Sequence, residues 1–198
     1  MLNMMPTEID FDLHSGKSRD KEPIRRHMSK MKGMFADAKA FEARIANDDP
    51  LIYEFYDMGV PDSETDVAYG TSITYPGKVG DEYYMTKGHF HSVIDAAEVY
   101  YCLRGRGFMM METPEGKAEW RELSPGKAVY VPGRWAHRSI NVHPSEPLIT
   151  FFAFPGNAGH DYGTIESRGF RKLIVDQGGQ PTVVDNPRWS GGGSVRQS

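Results

Sequence analysis

The chain has 198 residues, 39% hydrophobic and 12% aromatic, which is enough apolar material for one packed domain. Its formal net charge of −4 supplies no basic field for nucleic acid. The single cysteine, Cys102, excludes an intramolecular disulfide and a cysteine-ligated zinc site, and it suits a reducing compartment.

Residues 1–13 carry Glu8, Asp10 and Asp12 and lack the basic start and apolar run of a secretory signal. No stretch approaches the roughly 20 apolar residues of a membrane span, so a soluble, cytoplasmic protein is expected. Three zones follow in order: an N-terminal extension with helices (1–50), a β-barrel domain (51–190) and a flexible tail (191–198). Within the first zone, residues 21–35 place Ile24, Met28, Met31 and Met34 at helical spacing. Residues 37–46 predict a second helix, stopped by Asp48-Asp49-Pro50.

From residue 51 the pattern changes to short β-branched and aromatic runs. They cover 52–58, 67–75, 82–91, 99–103, 108–112, 118–122, 128–131, 138–142 and 148–154, with 171–176 and 181–185 beyond. Turn residues separate them, as at Pro76-Gly77, Pro125-Gly126 and Pro132-Gly133. Many short strands with regular turn signals predict an all-β sandwich or barrel. The run Arg104-Gly105-Arg106-Gly107 reads as a hairpin turn, Met109-Met110-Met111 as core, and His14, His27 and His143 as exposed.

The chemistry starts at His89-Phe90-His91. On a strand, residues i and i+2 share a face, so both imidazoles project together and Phe90 turns away. Glu98 follows after six residues, enough for a hairpin turn that sets it opposite the pair. His137 follows Pro132-Gly133-Arg134-Trp135-Ala136. Three imidazoles and a carboxylate suit a divalent first-row metal with two positions left for water or substrate.

The spacing His89-x-His91-x6-Glu98-x6-Gly105 resembles the first cupin motif, and Gly126-x5-Pro132-x4-His137-x3-Asn141 resembles the second. The long gap between His91 and Glu98 is typical of the cupin-type (archaeal-type) glucose-6-phosphate isomerases. Four further segments resemble that family: Tyr75-Pro76-Gly77-Lys78-Val79-Gly80, Thr86-Lys87-Gly88-His89-Phe90-His91, the stretch from Tyr130 to Arg138, and Ala158-Gly159-His160-Asp161-Tyr162-Gly163. So does Asp185-Asn186-Pro187-Arg188-Trp189 near the end.

The resemblance implies a cupin double-stranded β-helix, or jelly-roll barrel, and a homodimer. It implies interconversion of D-glucose 6-phosphate and D-fructose 6-phosphate in glycolysis and gluconeogenesis. One divalent ion is implied on His89, His91, Glu98 and His137, most often Fe(2+), with Mn, Zn, Ni or Co as substitutes. Ser72, Thr86 and Gly88 are the implied phosphate contacts, with Lys87 the nearest basic candidate. Tyr162 and His160 are implied near the sugar, and Glu98 is the candidate base. Hydrogen transfer through an enediol and a metal-assisted hydride shift both remain open. Ser72 stands where a threonine is expected, and Phe154 where a tyrosine often sits. Alternatives with the same ligand set are another metal cupin (an isomerase of other phosphosugars or a dioxygenase) and a non-catalytic sugar-binding cupin.

Overall fold

The computed structural model of the chain describes Pro6 and residues 8–191. Beyond Gly191, the tail expected over 191–198 lies outside the described residues. No helix among the described residues is long and apolar enough to cross a membrane.

Strands β1 (Ile24–His27), β2 (Leu51–Asp57), β3 (Val67–Thr74), β11 (Leu148–Pro155), β6 (Glu98–Arg104) and β9 (Ala128–Val131) form one antiparallel sheet in the order β1-β2-β3-β11-β6-β9. Strands β10 (Ala136–Asn141), β7 (Gly107–Glu112) and β8 (Ala118–Leu123) form a second, in the order β10-β7-β8. A third sheet has the order β13-β12-β5-β4, from β4 (Lys78–Val79), β5 (Glu82–Tyr83), β12 (Lys172–Gln177) and β13 (Gln180–Asp185). Bridges Met85↔Ile140 and His89↔His137 join the chain after β5 to β10, so the second and third sheets form one wall. Across from it stands the six-stranded sheet, tied to it by Asn141 Nδ2, at the end of β10, donating to the carbonyl of Thr74, at the end of β3, at 2.8 Å. This is the cupin jelly-roll barrel.

Alternation decides what faces inward. On β6, Glu98, Tyr100 and Cys102 are buried while Val99 and Tyr101 face out. On β9, Val129 and Val131 are buried while Ala128 and Tyr130 face out. Met109, Met110 and Met111 are buried as expected. Each fully buried side chain of this size contributes roughly 1.5–3 kcal/mol of transfer free energy.

Several sequence expectations need correction. Residues 21–35 are not an α-helix: Ile24–His27 pairs along the edge of β2, and Met28–Met31 is a 3₁₀ helix. The three-residue spacing of the buried Met28, Met31 and Met34 fits the eclipsed side chains of a 3₁₀ turn as well as an α-helical face. The strand expected over 82–91 stops at Tyr83. Beyond it, Gly88 has φ +78°, and a Cβ there would meet Phe170 Cε2 at 2.7 Å. The turn at Arg104–Gly107 is not a hairpin, because it carries the chain from β6 in one sheet to β7 in another. The helix expected over 37–46 forms as α1 (Ala38–Asn47), with Asp37 Oδ1 accepting from the Ala40 N–H at 2.9 Å. His14 and His27 are exposed as expected, whereas His143, also expected to be exposed, is half-buried, its Nδ1 accepting from the Glu146 N–H at 2.8 Å.

Candidate metal centre and active site

The centre is assembled by three segments. His89 and His91 sit on the extended stretch after β5, with ring centroids 5.4 Å apart and Phe90 fully buried on the opposite side. His89 exchanges main-chain hydrogen bonds with His137 on β10, at 3.3 and 3.1 Å. Their rings lie 4.6 Å apart. Glu98 starts β6, which pairs with β11 and β9 and not with the histidine segment. The expected hairpin over 92–97 is therefore a crossing between walls, and Glu98 meets the histidines across the barrel interior.

Local hydrogen bonds aim the imidazoles. His91 Nδ1 faces the Ala96 carbonyl at 3.0 Å, and His137 Nδ1 faces the Trp135 carbonyl at 3.2 Å. A carbonyl partner holds the N–H at Nδ1 and leaves the Nε2 lone pair pointing inward. Both Nε2 atoms face Glu98 Oε2, at 3.1 Å from His91 and 2.8 Å from His137. Lone pairs aimed at a carboxylate repel unless the rings are protonated or a cation stands among them. His89 Nε2 is buried without a hydrogen-bond partner. Burial, and then the neighbouring His137, His160 and His91, push its pKa well below the ordinary value. One ligand atom from each of the four residues lies within 4.8 Å of the others. This donor set fits a divalent ion: it offers nitrogen and oxygen, and an orphaned imidazole that needs a cation.

Burial acts to raise the Glu98 pKa, but the facing His137 and His91 outweigh it and hold the carboxyl at about 2. Tyr100 is pushed well above its ordinary value by burial and then by the Glu98 charge.

The centre opens into a cavity between the two walls of the barrel. Ser72, Thr86, Lys87, Gly88, His89, Glu98, His137, His160 and Tyr162, all singled out in the sequence, line it. His91 stands behind that wall. Thr86 Oγ1 accepts from the Ser139 N–H at 3.0 Å, which leaves its hydroxyl proton for a ligand. Phe154 packs on His91 and His160, with centroids 5.6 and 5.5 Å away, and makes this wall apolar.

His160 and Tyr162 arrive by a separate device. Asp161 exchanges main-chain hydrogen bonds with Phe90, at 2.8 and 3.2 Å, and docks the loop on the histidine segment. His160 then stands 4.3 Å from the His89 ring and stacks on Tyr162 at 5.7 Å. Burial, the largest effect, lowers the pKa of His160, while nearby Glu98 raises it and His91 and His137 lower it. The loop ends in α2 (Gly163–Arg168), which has no counterpart among the expected elements; Asp161 Oδ1 accepts from the Thr164 N–H at 3.2 Å at its start.

The sequence-based reading also missed Tyr53, Phe55, Asp57, Tyr100, Ser139 and Phe152 on the cavity wall. A step of two along each ligand-bearing strand reaches Tyr100 from Glu98 and Ser139 from His137. The other four needed the sheet order.

With this geometry, a sequence model of glucose-6-phosphate isomerase (GPI) matches residues 25–189. The chain belongs to the glucose-6-phosphate isomerase family. The glucose-6-phosphate isomerase of Thermococcus gammatolerans is 45% identical over 185 residues, spanning 93% of this chain and 97% of the relative. That of Pyrococcus abyssi is 46% identical over 184 residues, spanning 93% and 97%. That of Sinorhizobium medicae is 36% identical over 188 residues, spanning 93% and 87%. Both cavity and metal-competent centre of this glucose-6-phosphate isomerase family member lie inside the matched segment.

Proposed function

We propose that this chain is a metal-dependent aldose–ketose isomerase that interconverts D-glucose 6-phosphate and D-fructose 6-phosphate, a step of glycolysis and gluconeogenesis. The supporting observation is the buried His89, His91, Glu98 and His137 set opening into a hydroxyl-lined cavity, in a chain of this family. Fe(2+) is the ion of this reading, with Mn, Zn, Ni or Co as substitutes, in keeping with nitrogen and oxygen donors and no thiolate. Bound there, it supplies Lewis-acid polarisation of the substrate carbonyl.

The chain's own residues divide the remaining work. The hydroxyls of Ser72 and Thr86, the Gly88 N–H and the Lys87 ammonium hold the phosphate. His160 and Tyr162, stacked at the mouth, exchange the proton of ring opening: the anomeric hydroxyl loses one and the ring oxygen gains one. Glu98 takes the C2 proton, leaving its electron pair in an enediol, and returns a proton to C1, while another passes from O2 to O1. A carboxylate that serves as a metal ligand is a weaker base, which favours a second route. In it the C2 hydrogen moves with its electron pair directly to C1, O2 loses a proton, O1 gains one, and Glu98 serves only as ligand. Turnover in D2O separates the routes: deuterium enters the product carbon in the first and stays out in the second.

The deciding experiment is conversion of fructose 6-phosphate by metal-loaded protein, read through glucose-6-phosphate dehydrogenase. No turnover with any of the named ions would remove the assignment. We further read the chain as a cytoplasmic homodimer. The buried, free thiol of Cys102 suits the compartment, and the outward apolar residues Val67, Val99, Tyr101 and Tyr130 on the six-stranded sheet suit the dimer.

A further inference from the structure

Among the described residues, Lys87 is the only lysine or arginine on the cavity wall. Its side chain is 18% exposed, and its ammonium is ion-paired with Glu166 Oε1. The same ammonium lies 5.4 Å from the centre of the Tyr162 ring. Tyr162 and Glu166 are one turn apart, with the Glu166 N–H donating to the Tyr162 carbonyl at 2.9 Å. Lys87 thus bridges both, from the segment that carries His89 to the start of α2. Helix α2 is itself held to the barrel by Arg168, whose Nη2 donates to the buried Glu112 at 3.0 Å. Glu166 is 46% exposed and has room to swing away, whereas Lys87 has little.

We propose that Glu166 is a competing anion that occupies Lys87 until a phosphate monoester enters the cavity, so that it sets the affinity of the enzyme for the phosphate end of its substrate. This rests on the isomerase reading above. A lysine ammonium has three donors but one charge, and a dianion next to it must share that charge with Glu166 or displace it. Asp57 and Glu98, both on the cavity wall, add further negative groups there. Arg26 adds a positive one from β1, its guanidinium carbon 5.9 Å from the centre of the Phe55 ring. Among the described residues, the ion pair of Lys87 is with Glu166 and not with Asp57. Glu166 is therefore a specificity-determining residue that acts through Lys87, with no contact to the reacting carbons.

The test uses the metal-loaded enzyme with E166Q, K87M and the double variant, all at constant ionic strength. Inorganic phosphate serves as competitive inhibitor, and glucitol, which lacks the phosphate, as the control ligand. E166Q is expected to lower the phosphate inhibition constant and the KM for fructose 6-phosphate roughly three- to tenfold, in the range open to a half-exposed ion pair. Its kcat stays within about twofold and its glucitol inhibition constant does not change. In the K87M background the gain from E166Q disappears. An unchanged or raised phosphate inhibition constant in E166Q, or the same gain with and without Lys87, overturns the proposal. Wild-type turnover in the same assay keeps this outcome separate from failure of the isomerase reading.

Discussion

Glu98 Oε2 stands 2.8 Å from His137 Nε2, although the two residues lie 39 positions apart and on facing walls of the barrel. Closure of the jelly roll and assembly of the centre are thus one event. A divalent ion added to the purified protein is expected to raise its melting temperature, by about 2.7 kcal/mol of stabilisation at 100 times the dissociation constant. H89A and H137A are expected to lose that shift and the isomerase activity together. Full turnover by a variant shown to be metal-free by elemental analysis would contradict the ligand assignment.

Glu98 can be separated from mere metal retention. E98Q keeps an oxygen donor and the shape of the side chain. Its kcat is expected to drop by about 100-fold or more, the scale of a lost acid–base group, while metal content falls far less. Activity that simply tracks metal occupancy across partial reloading would remove the base role and leave the hydride route.

Gly88 is where backbone shape supports chemistry. Its φ of +78° disfavours any side chain, and an added Cβ would press on Phe170 Cε2 at 2.7 Å and on Arg138 Cβ at 3.1 Å. G88A is expected to cost about 1–3 kcal/mol in stability from backbone strain and to move His89. Urea unfolding and metal affinity should worsen together. A wild-type unfolding midpoint in G88A would show that the strain is relieved.

Glu82 gives a pH signature remote from the metal. It is 5% exposed, and one oxygen accepts from the Ala36 N–H at 2.8 Å while the other is unpartnered. Burial pushes its pKa up from 4.5 to about 7. The folded state therefore holds a proton that the unfolded chain releases, and this contribution to stability, complete below about pH 4.5, is lost as pH rises to about 7. E82Q is expected to match the wild type near pH 4.5 and to be more stable by up to about 3 kcal/mol at pH 8. A stability difference between the two proteins that does not vary with pH would refute the shift.

The proposed dimer is testable on the outer sheet face. Val99 and Tyr130 are paired across β6 and β9 and both point out, 41% and 64% exposed. V99D/Y130D is expected to sediment as a monomer at micromolar concentration where the wild type is a dimer. A monomeric wild type, or a dimeric double variant, would remove this interface.

The centre was legible because strand alternation is local. His89-x-His91 on an extended chain shares a face whatever the fold, and the buried–exposed alternation of β6 and β9 can be read off residues 98–102 and 128–131. The N-terminal zone was less legible. Met28, Met31 and Met34 carry a three-residue repeat that 3₁₀ and α geometry share, and only pairing of Ile24–His27 with β2 selects between extended and helical backbone. The break at Gly88 was likewise hidden, since the apolar run around it reads as strand and the crowding by Phe170 comes from 82 residues away.

By itself, then, the sequence determined the ligand types, the shared face of His89 and His91, the all-β architecture and the membership in a family of glucose-6-phosphate isomerases, because these depend on period-two geometry and on motif spacing. Tertiary structure alone decided that Glu98 meets the histidines across the barrel rather than along a hairpin. It also decided that Asp161 docks His160 and Tyr162 beside His89, and that Glu166 reaches Lys87. Each of these joins segments from separate elements, so it depends on sheet order and loop docking, which no local pattern of side chains encodes.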